Sequence, residues 1–214
     1  MVIVLVAGTG TEVGKTYVTA RLAASLRNRG MRVAARKPAQ SFAPDDDSPT
    51  DADVLASATG EDPLVVCPTH RRFPLAMAPP MAAEALGRAA FTIADLAAEV
   101  SPPASSDELV FVESAGGVRS PLAADGDTVA LAEALQPALV VLVADAGLGT
   151  INAVHLSVDA LLGHRVVVFL NRFDSRHDLH TRNRDWLVTR AGLEVVTDPE
   201  TLERVVAAVL ATSG

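Results

Sequence analysis

The segment Gly8-Thr9-Gly10-Thr11-Glu12-Val13-Gly14-Lys15-Thr16 holds the residue types and spacing that most directly suggest chemistry. It leaves an apolar run and enters a helical pattern, so successive backbone N–H groups and a helix N-terminus can surround phosphate oxygens. Lys15 adds a positive point charge, and Thr16 supplies a hydroxyl of the type that ligates a Mg²⁺ ion bridging the two outer phosphates of a nucleoside triphosphate. The usual phosphate-loop pattern places four residues between its first glycine and Gly-Lys-Thr, whereas five separate Gly8 from Gly14, so the pattern is not met literally. Gly-Lys-Thr at a strand-to-helix junction is still a specific signal, and a glycine-rich turn of purely structural role is the lesser alternative.

Asp51 and Glu113 are the candidates to complete a metal site with Thr16, with Asp53 as a rival ligand. Asp51 could instead belong to a helix cap, because Thr50-Asp51-Ala52-Asp53 can place Thr50 at the N-cap and Asp53 at the third helical position. Glu113 follows Leu-Val-Phe-Val and precedes Ser114-Ala115-Gly116-Gly117; it is either a solvated strand end or a carboxylate buried against a cation. Gly116 and Gly117 mark a second place where backbone can approach a ligand closely. Lys37, before Pro38, should end a strand and point across the same sheet edge, where its ammonium could stabilise transferred charge; otherwise it is a surface lysine. Ser41 could donate to a transition state or simply cap a turn.

These residues must be positioned by the elements around them. Residues 2–7 form a β-branched apolar run, and Val18, Leu22, Ala23 and Leu26 follow at helical spacing until Gly30. Residues 31–36 read as the next strand, 41–49 as a mobile polar loop and 50–60 as a helix. Pro68, Pro74, Pro79 and Pro80 should break the chain before helical spacing resumes at 81–87 and 93–100. Residues 109–112, 138–144 and 166–170 are further continuous apolar runs, with helices of about 14 residues expected to alternate with them, and 205–210 close as an amphipathic helix. The expected fold is α/β: one domain over residues 1–214, a doubly wound, mostly parallel sheet flanked by helices, in the architecture of P-loop NTPases.

Composition narrows the partners. With 214 residues, 49% hydrophobic and only 4% aromatic, the core must be built from Ala, Val and Leu, which suits buried parallel strands. A formal charge of −8 leaves no broad basic face, so nucleic acid is not an expected partner. No apolar run approaches the roughly 20 residues of a membrane helix, and residues 1–7 lack the basic start of a signal peptide, so no membrane partner is expected. The single cysteine, Cys67, fits a reducing compartment and predicts a cytoplasmic protein with an inert thiol.

Taken together, the loop Gly8–Thr16, Lys37-Pro38, Pro79 with Ala82-Ala83, Glu113 with Ala115-Gly116-Gly117, and Gly147-Leu148-Gly149-Thr150-Ile151-Asn152 resemble the ATP-dependent dethiobiotin synthetases. The resemblance covers most of the chain and fades after Asn171. It implies a cyclo-ligase of biotin biosynthesis that takes up CO2 on the diamine 7,8-diaminopelargonate, phosphorylates the carbamate with ATP, and closes a cyclic urea. By that resemblance Thr11, Glu12, Val13, Gly14, Lys15, Thr16 and Tyr17, with Glu113 and Asn171, would hold ATP, Asn171 through its base. Thr16, Asp51 and Glu113 would hold Mg²⁺. Lys37, Ser41, Lys15 and Thr11 would serve the chemistry, with Gly116, Gly117 and Asn152 also at the substrate. The family further implies a homodimer, in which residues 150–152 reach the substrate carboxylate of the neighbouring subunit.

Departures from the family pattern fall on the substrate side: Phe42 after Ser41 where glycine is usual, Ser114 in place of glycine, and Val118-Arg119-Ser120 before Pro121. They keep open a relative that uses ATP on another amine or carboxylate, with Arg119 as a carboxylate partner. A ParA/MinD-like switch is a further alternative, disfavoured because Gly10 stands where such proteins usually carry a second lysine.

Overall fold

The computed structural model describes residues 1–45, 47–100 and 109–212. In chain order the elements are β1 (Val2–Gly8), α1 (Lys15–Asn28), β2 (Val33–Arg36), β3 (Gln40–Ser41), α2 (Asp51–Thr59), α3 (Pro63–Val66), β4 (Arg72–Phe73), α4 (Pro79–Ala85) and α5 (Ile93–Val100). They continue with β5 (Leu109–Glu113), α6 (Thr128–Leu135), β6 (Leu139–Asp145), α7 (Thr150–Ala160), β7 (Val166–Asn171), α8 (Asp178–Thr189), β8 (Val195–Val196) and α9 (Pro199–Thr212). A six-stranded sheet runs in the order β2-β5-β1-β6-β7-β8, and a two-stranded one pairs β3 with β4. Every strand pairing in both sheets is parallel.

Alternation of side chains along the central strands builds a core on each face of the sheet. Val4, Val6, Phe111 and Val141 meet Val18, Leu22 and Leu26 of α1 and Leu202 and Val206 of α9. On the other face Leu5, Val112, Leu142 and Leu170 meet Leu96 of α5, Leu131 of α6, Val154 of α7 and Leu187 of α8. With helices on both faces the central strands are apolar throughout, so they read in sequence as unbroken runs rather than alternating ones.

Register then aligns the carboxyl ends. Val6 is level with Glu113, Gly8 with Val143, and Asp145 with Asn171. A sheet of this winding gathers its ligand-facing residues beyond that edge.

Several local expectations are corrected. Pro79 and Pro80 do not break the chain but occupy the first two positions of α4, where the missing N–H groups would be unpaired in any case. The helices between the later strands have 8, 11 and 12 residues rather than about 14. The expected loop at 41–49 begins as strand, with Ser41 paired to Phe73; Asp46 within it lies outside the described residues. No helix among the described residues is long and apolar enough to cross a membrane.

Candidate nucleotide and phosphoryl-transfer site

The loop between β1 and α1 is shaped by two residues with left-handed backbone. Gly14 has φ 96 and Glu12 has φ 59. Gly14 is the N-cap of α1 and makes no side-chain cap, and no acidic residue lies in the first helical turn, so the opening N–H groups of α1 are left for an external acceptor. A Cβ on Gly14 would sit 2.1 Å from Asn171 Nδ2 at a left-handed φ, so glycine is required there, while one on Gly8 would press on Lys15 Cδ at 2.9 Å and displace the lysine. Lys15 folds back over the loop, donating from Nζ to the carbonyls of Gly10 at 2.9 Å and Gly116 at 2.8 Å. Burial, followed by the nearby Lys37 charge, lowers its pKa to about 8.

Beside this loop the three elements β2, α2 and β5 deliver a compact polar cluster. Thr16 Oγ1 lies 2.8 Å from both Asp51 Oδ1 and Glu113 Oε1. Lys37 Nζ lies 2.6 Å from Asp51 Oδ2 and 2.7 Å from Glu113 Oε1, and donates to the Ser114 carbonyl at 3.2 Å. Lys37 is 2% exposed and Glu113 fully buried, so neither the surface-lysine nor the solvated-strand-end alternative holds. Burial acts against the Lys37 charge, but Glu113 and then Asp51 outweigh it and raise the pKa; burial likewise opposes the Asp51 charge, and Lys37 holds that carboxyl below its usual range.

The choice between Asp51 and Asp53 is one of helix phase. Thr50 and Asp53 form a reciprocal capping box, and Asp53 also meets Arg72 at 3.5 Å. Asp53 is therefore occupied away from the loop, while Asp51 faces Thr16 and Lys37.

A cavity of about 860 Å3 opens over the loop and the cluster. Thr11, Glu12, Gly14, Lys15 and Thr16 line it together with Lys37, Ser41, Asp51 and Gly116, and Phe42, Met77 and Pro79 form an apolar wall. Ser41 Oγ is buried there with no hydrogen-bond partner. Asn171 stands behind the loop and donates from Nδ2 to the Val13 carbonyl at 2.9 Å. Val13 turns its side chain toward the α1 core, and the Tyr17 side chain is 53% exposed beside Arg21, outside the cavity lining.

Asn152 and Gly117 are not in this cavity. They line a second hollow of about 920 Å3 with Arg119 and Leu156; Ser120 and Pro121 border both spaces. Arg119 pairs there with Asp127 at 3.0 Å, and Ser114 is fully buried below the site, so neither lines the phosphate cavity, whereas Phe42 and Ser120 do.

Gln40, Asp145 and Arg172 were not legible as site residues. Gln40 is 2% exposed, accepts from Ala52 N–H at 3.0 Å and donates to Thr50 Oγ1 at 3.2 Å, which ties the start of α2 to the cavity wall. Asp145 carries the same signal as Glu113, a carboxylate directly after an apolar strand. Arg172, with φ 57, carries none.

The parallel sheet, the loop at the first strand-to-helix turn and the lysine folded over it define a P-loop nucleotide-binding protein. A family model described as an AAA domain matches residues 3–205. The ATP-dependent dethiobiotin synthetase BioD of Corynebacterium efficiens is 39% identical over 161 residues, 75% of this chain and 70% of that protein. That of Haloferax mediterranei is 37% identical over 202 residues, 91% and 82% of the two chains. The chain belongs to the ATP-dependent dethiobiotin synthetase family. Among solved structures, the signal recognition particle receptor FtsY from Elizabethkingia anophelis superposes with a TM-score of 0.52 at 13% identity, over 91% of this chain and 57% of that one, a likeness of fold alone.

Proposed function

We propose that this protein is an ATP-dependent dethiobiotin synthetase of biotin biosynthesis, joining CO2 to 7,8-diaminopelargonate and closing the cyclic urea with ATP. The observation that carries the reading is the convergence of Lys15, Thr16, Lys37 and Asp51 in one cavity at the amino end of α1, with Glu113 buried directly against Thr16 and Lys37. Phosphoryl transfer needs positioning and cationic clamps more than covalent chemistry from the protein. Loop N–H groups from Thr11 to Thr16, continuing into the backbone of Tyr17, would hold the phosphates, and Asn171 the base. The resemblance has one amine of the diamine carrying CO2 as a carbamate. A carbamate oxygen then takes the γ-phosphoryl group as the bond to ADP breaks, and the second amine displaces phosphate to close the ring. Lys37 would neutralise the anion, and the unpartnered Ser41 hydroxyl would donate to it.

The donor set fits Mg²⁺. Thr16 has one hydroxyl hydrogen for two carboxylate oxygens at 2.8 Å, and Glu113 Oε2 is buried with no partner, so oxygen atoms outnumber the hydrogens available to them. Thr16, Asp51 and Glu113 would hold the ion, with phosphate oxygens and water completing its shell. When bound it supplies charge neutralisation on the outer phosphates. Among the described residues no group of three or more His, Cys, Asp or Glu could hold a metal without such help.

A homodimer would suit the second hollow, where Leu156 is 63% exposed beside Asn152, with Leu148, 93% exposed, four residues before Asn152 in the chain. A cytoplasmic setting accords with the buried thiol of Cys67, and neither nucleic acid nor a membrane is an expected partner. Incubation with ATP, Mg²⁺, bicarbonate and diaminopelargonate should release ADP only when the diamine is present, with a product heavier by CO2 less water; ADP release independent of the diamine would overturn the assignment. A different amine or carboxylate acceptor is favoured by Phe42 and Ser120 in the cavity wall, and a panel of such acceptors scored for stimulated ADP release separates the two readings.

A further inference from the structure

Two consecutive carbonyl groups of the phosphate loop are held from the end of one strand. The Glu12 carbonyl accepts from Arg172 at 2.9 Å and the Val13 carbonyl from Asn171 at 2.9 Å. A trans peptide points its C=O and the next N–H in opposite directions. Pulling the Glu12 and Val13 oxygens toward β7 therefore turns the N–H groups of Val13 and Gly14 the other way, into the phosphate hollow. Asn171 is already assigned to the nucleotide by family resemblance; Arg172 is assigned to nothing.

Arg172 is itself anchored. Its other guanidinium nitrogen lies 2.9 Å from Asp145 Oδ2, and Asp145 Oδ1 accepts from Gly147 N–H at 2.8 Å, so the loop after β6 fixes the arginine that fixes the phosphate loop. Two backbone positions in this bridge are unfavourable for side-chain-bearing residues: Glu12 at φ 59 and Arg172 at φ 57. Such conformations are costly and persist only where surrounding contacts hold them.

We propose that Arg172 is a positioning residue for the nucleotide, aligning the Glu12–Val13 peptide so that its N–H faces the phosphates, with Asp145 holding the arginine in place. The inference rests on the assignment of the loop to nucleotide phosphates. Arg172 borders the cavity, but its two terminal nitrogens are taken by the Glu12 carbonyl and by Asp145, so it acts through the loop.

The test is calorimetric binding of ADP, pyrophosphate and adenosine to the wild-type protein, Arg172→Ala, Arg172→Lys and Asp145→Asn. Losing one charge-assisted hydrogen bond that orients a phosphate donor should raise the Kd of ADP about tenfold in Arg172→Ala. Pyrophosphate should weaken by the same factor, while adenosine is unaffected. Asp145→Asn should fall between wild type and Arg172→Ala, and Arg172→Lys, which spans only one of the two acceptors, should recover part of the loss. In turnover the KM for ATP should rise while kcat changes less than twofold. Weakening of ADP and adenosine but not pyrophosphate would make Arg172 a base contact and overturn the inference, as would unchanged ADP binding. A fall in the unfolding midpoint of the ligand-free Arg172→Lys protein in step with its affinity would assign the residue to stability instead. Absence of ADP binding by the wild type would overturn the phosphate-loop reading itself, a separate outcome.

Discussion

Lys37→Met is the perturbation whose consequence is most directly set by the geometry of the site. Glu113 is fully buried, and its charge is offset by the Lys37 ammonium at 2.7 Å. Removing that ammonium leaves a buried carboxylate with only the Thr16 hydroxyl, which Asp51 also claims. Breaking a buried ion pair from one side costs about 3–5 kcal/mol, because an unpaired charge remains. For a chain of this length that corresponds to a fall in Tm of roughly 10 °C. Glu113→Gln should cost less, about 1–2 kcal/mol, since Lys37 keeps Asp51 at 2.6 Å and the Ser114 carbonyl. The double variant should be more stable than the sum of the two changes by at least about 2 kcal/mol. Urea unfolding of all four proteins, free of nucleotide and Mg²⁺, measures the cycle. A Lys37→Met protein within about 1 kcal/mol of wild type, or additive costs in the double variant, would refute the closed ion pair.

Asp51→Asn should cut Mg²⁺-dependent turnover by about 100-fold with little loss of stability, whereas Asp53→Asn should cost about 1 kcal/mol through the α2 cap and leave turnover intact; parallel kinetics and urea melts distinguish them, and the reverse pattern would exchange their roles. Gly14→Ala places a Cβ 2.1 Å from Asn171 Nδ2 at a left-handed φ of 96, and ADP binding by calorimetry should be lost; unaltered affinity would show the loop free to rearrange. Burial pushes the Cys67 thiol up to about 12 from 9.0, so the folded form keeps its proton where the unfolded form does not. That contribution is complete below pH 9 and fades between 9 and about 12, at about 1.4 kcal/mol per pH unit. Cys67→Ala should flatten this alkaline decline in urea melts, and parallel pH profiles for the two proteins would exclude it.

Some of this was written in the sequence because it depends on neighbours along the chain. A strand covered on both faces must be apolar throughout, so residues 2–7, 109–112, 138–144 and 166–170 announced β1, β5, β6 and β7. The loop before Lys15-Thr16 was equally visible, since it needs only glycines, a lysine and a hydroxyl in consecutive positions. Short pieces such as β3, β4 and β8 were not, because two residues carry no periodicity and exist only through their pairing.

Distance in sequence marks the other limit. Lys37 and Glu113 are 76 positions apart, and only the strand order that sets β2 beside β5 makes one the partner of the other. Asp51 and Asp53 were equivalent as residue types, yet two positions on a helix rotate a side chain by about 200°, so the start point of α2 sends one toward Thr16 and the other into its cap. Arg172 lay beyond reading altogether. A left-handed backbone at an arginine has no signature in composition or spacing, and its bond to the Glu12 carbonyl exists because β7 ends level with β6, where tertiary packing places the two loops side by side.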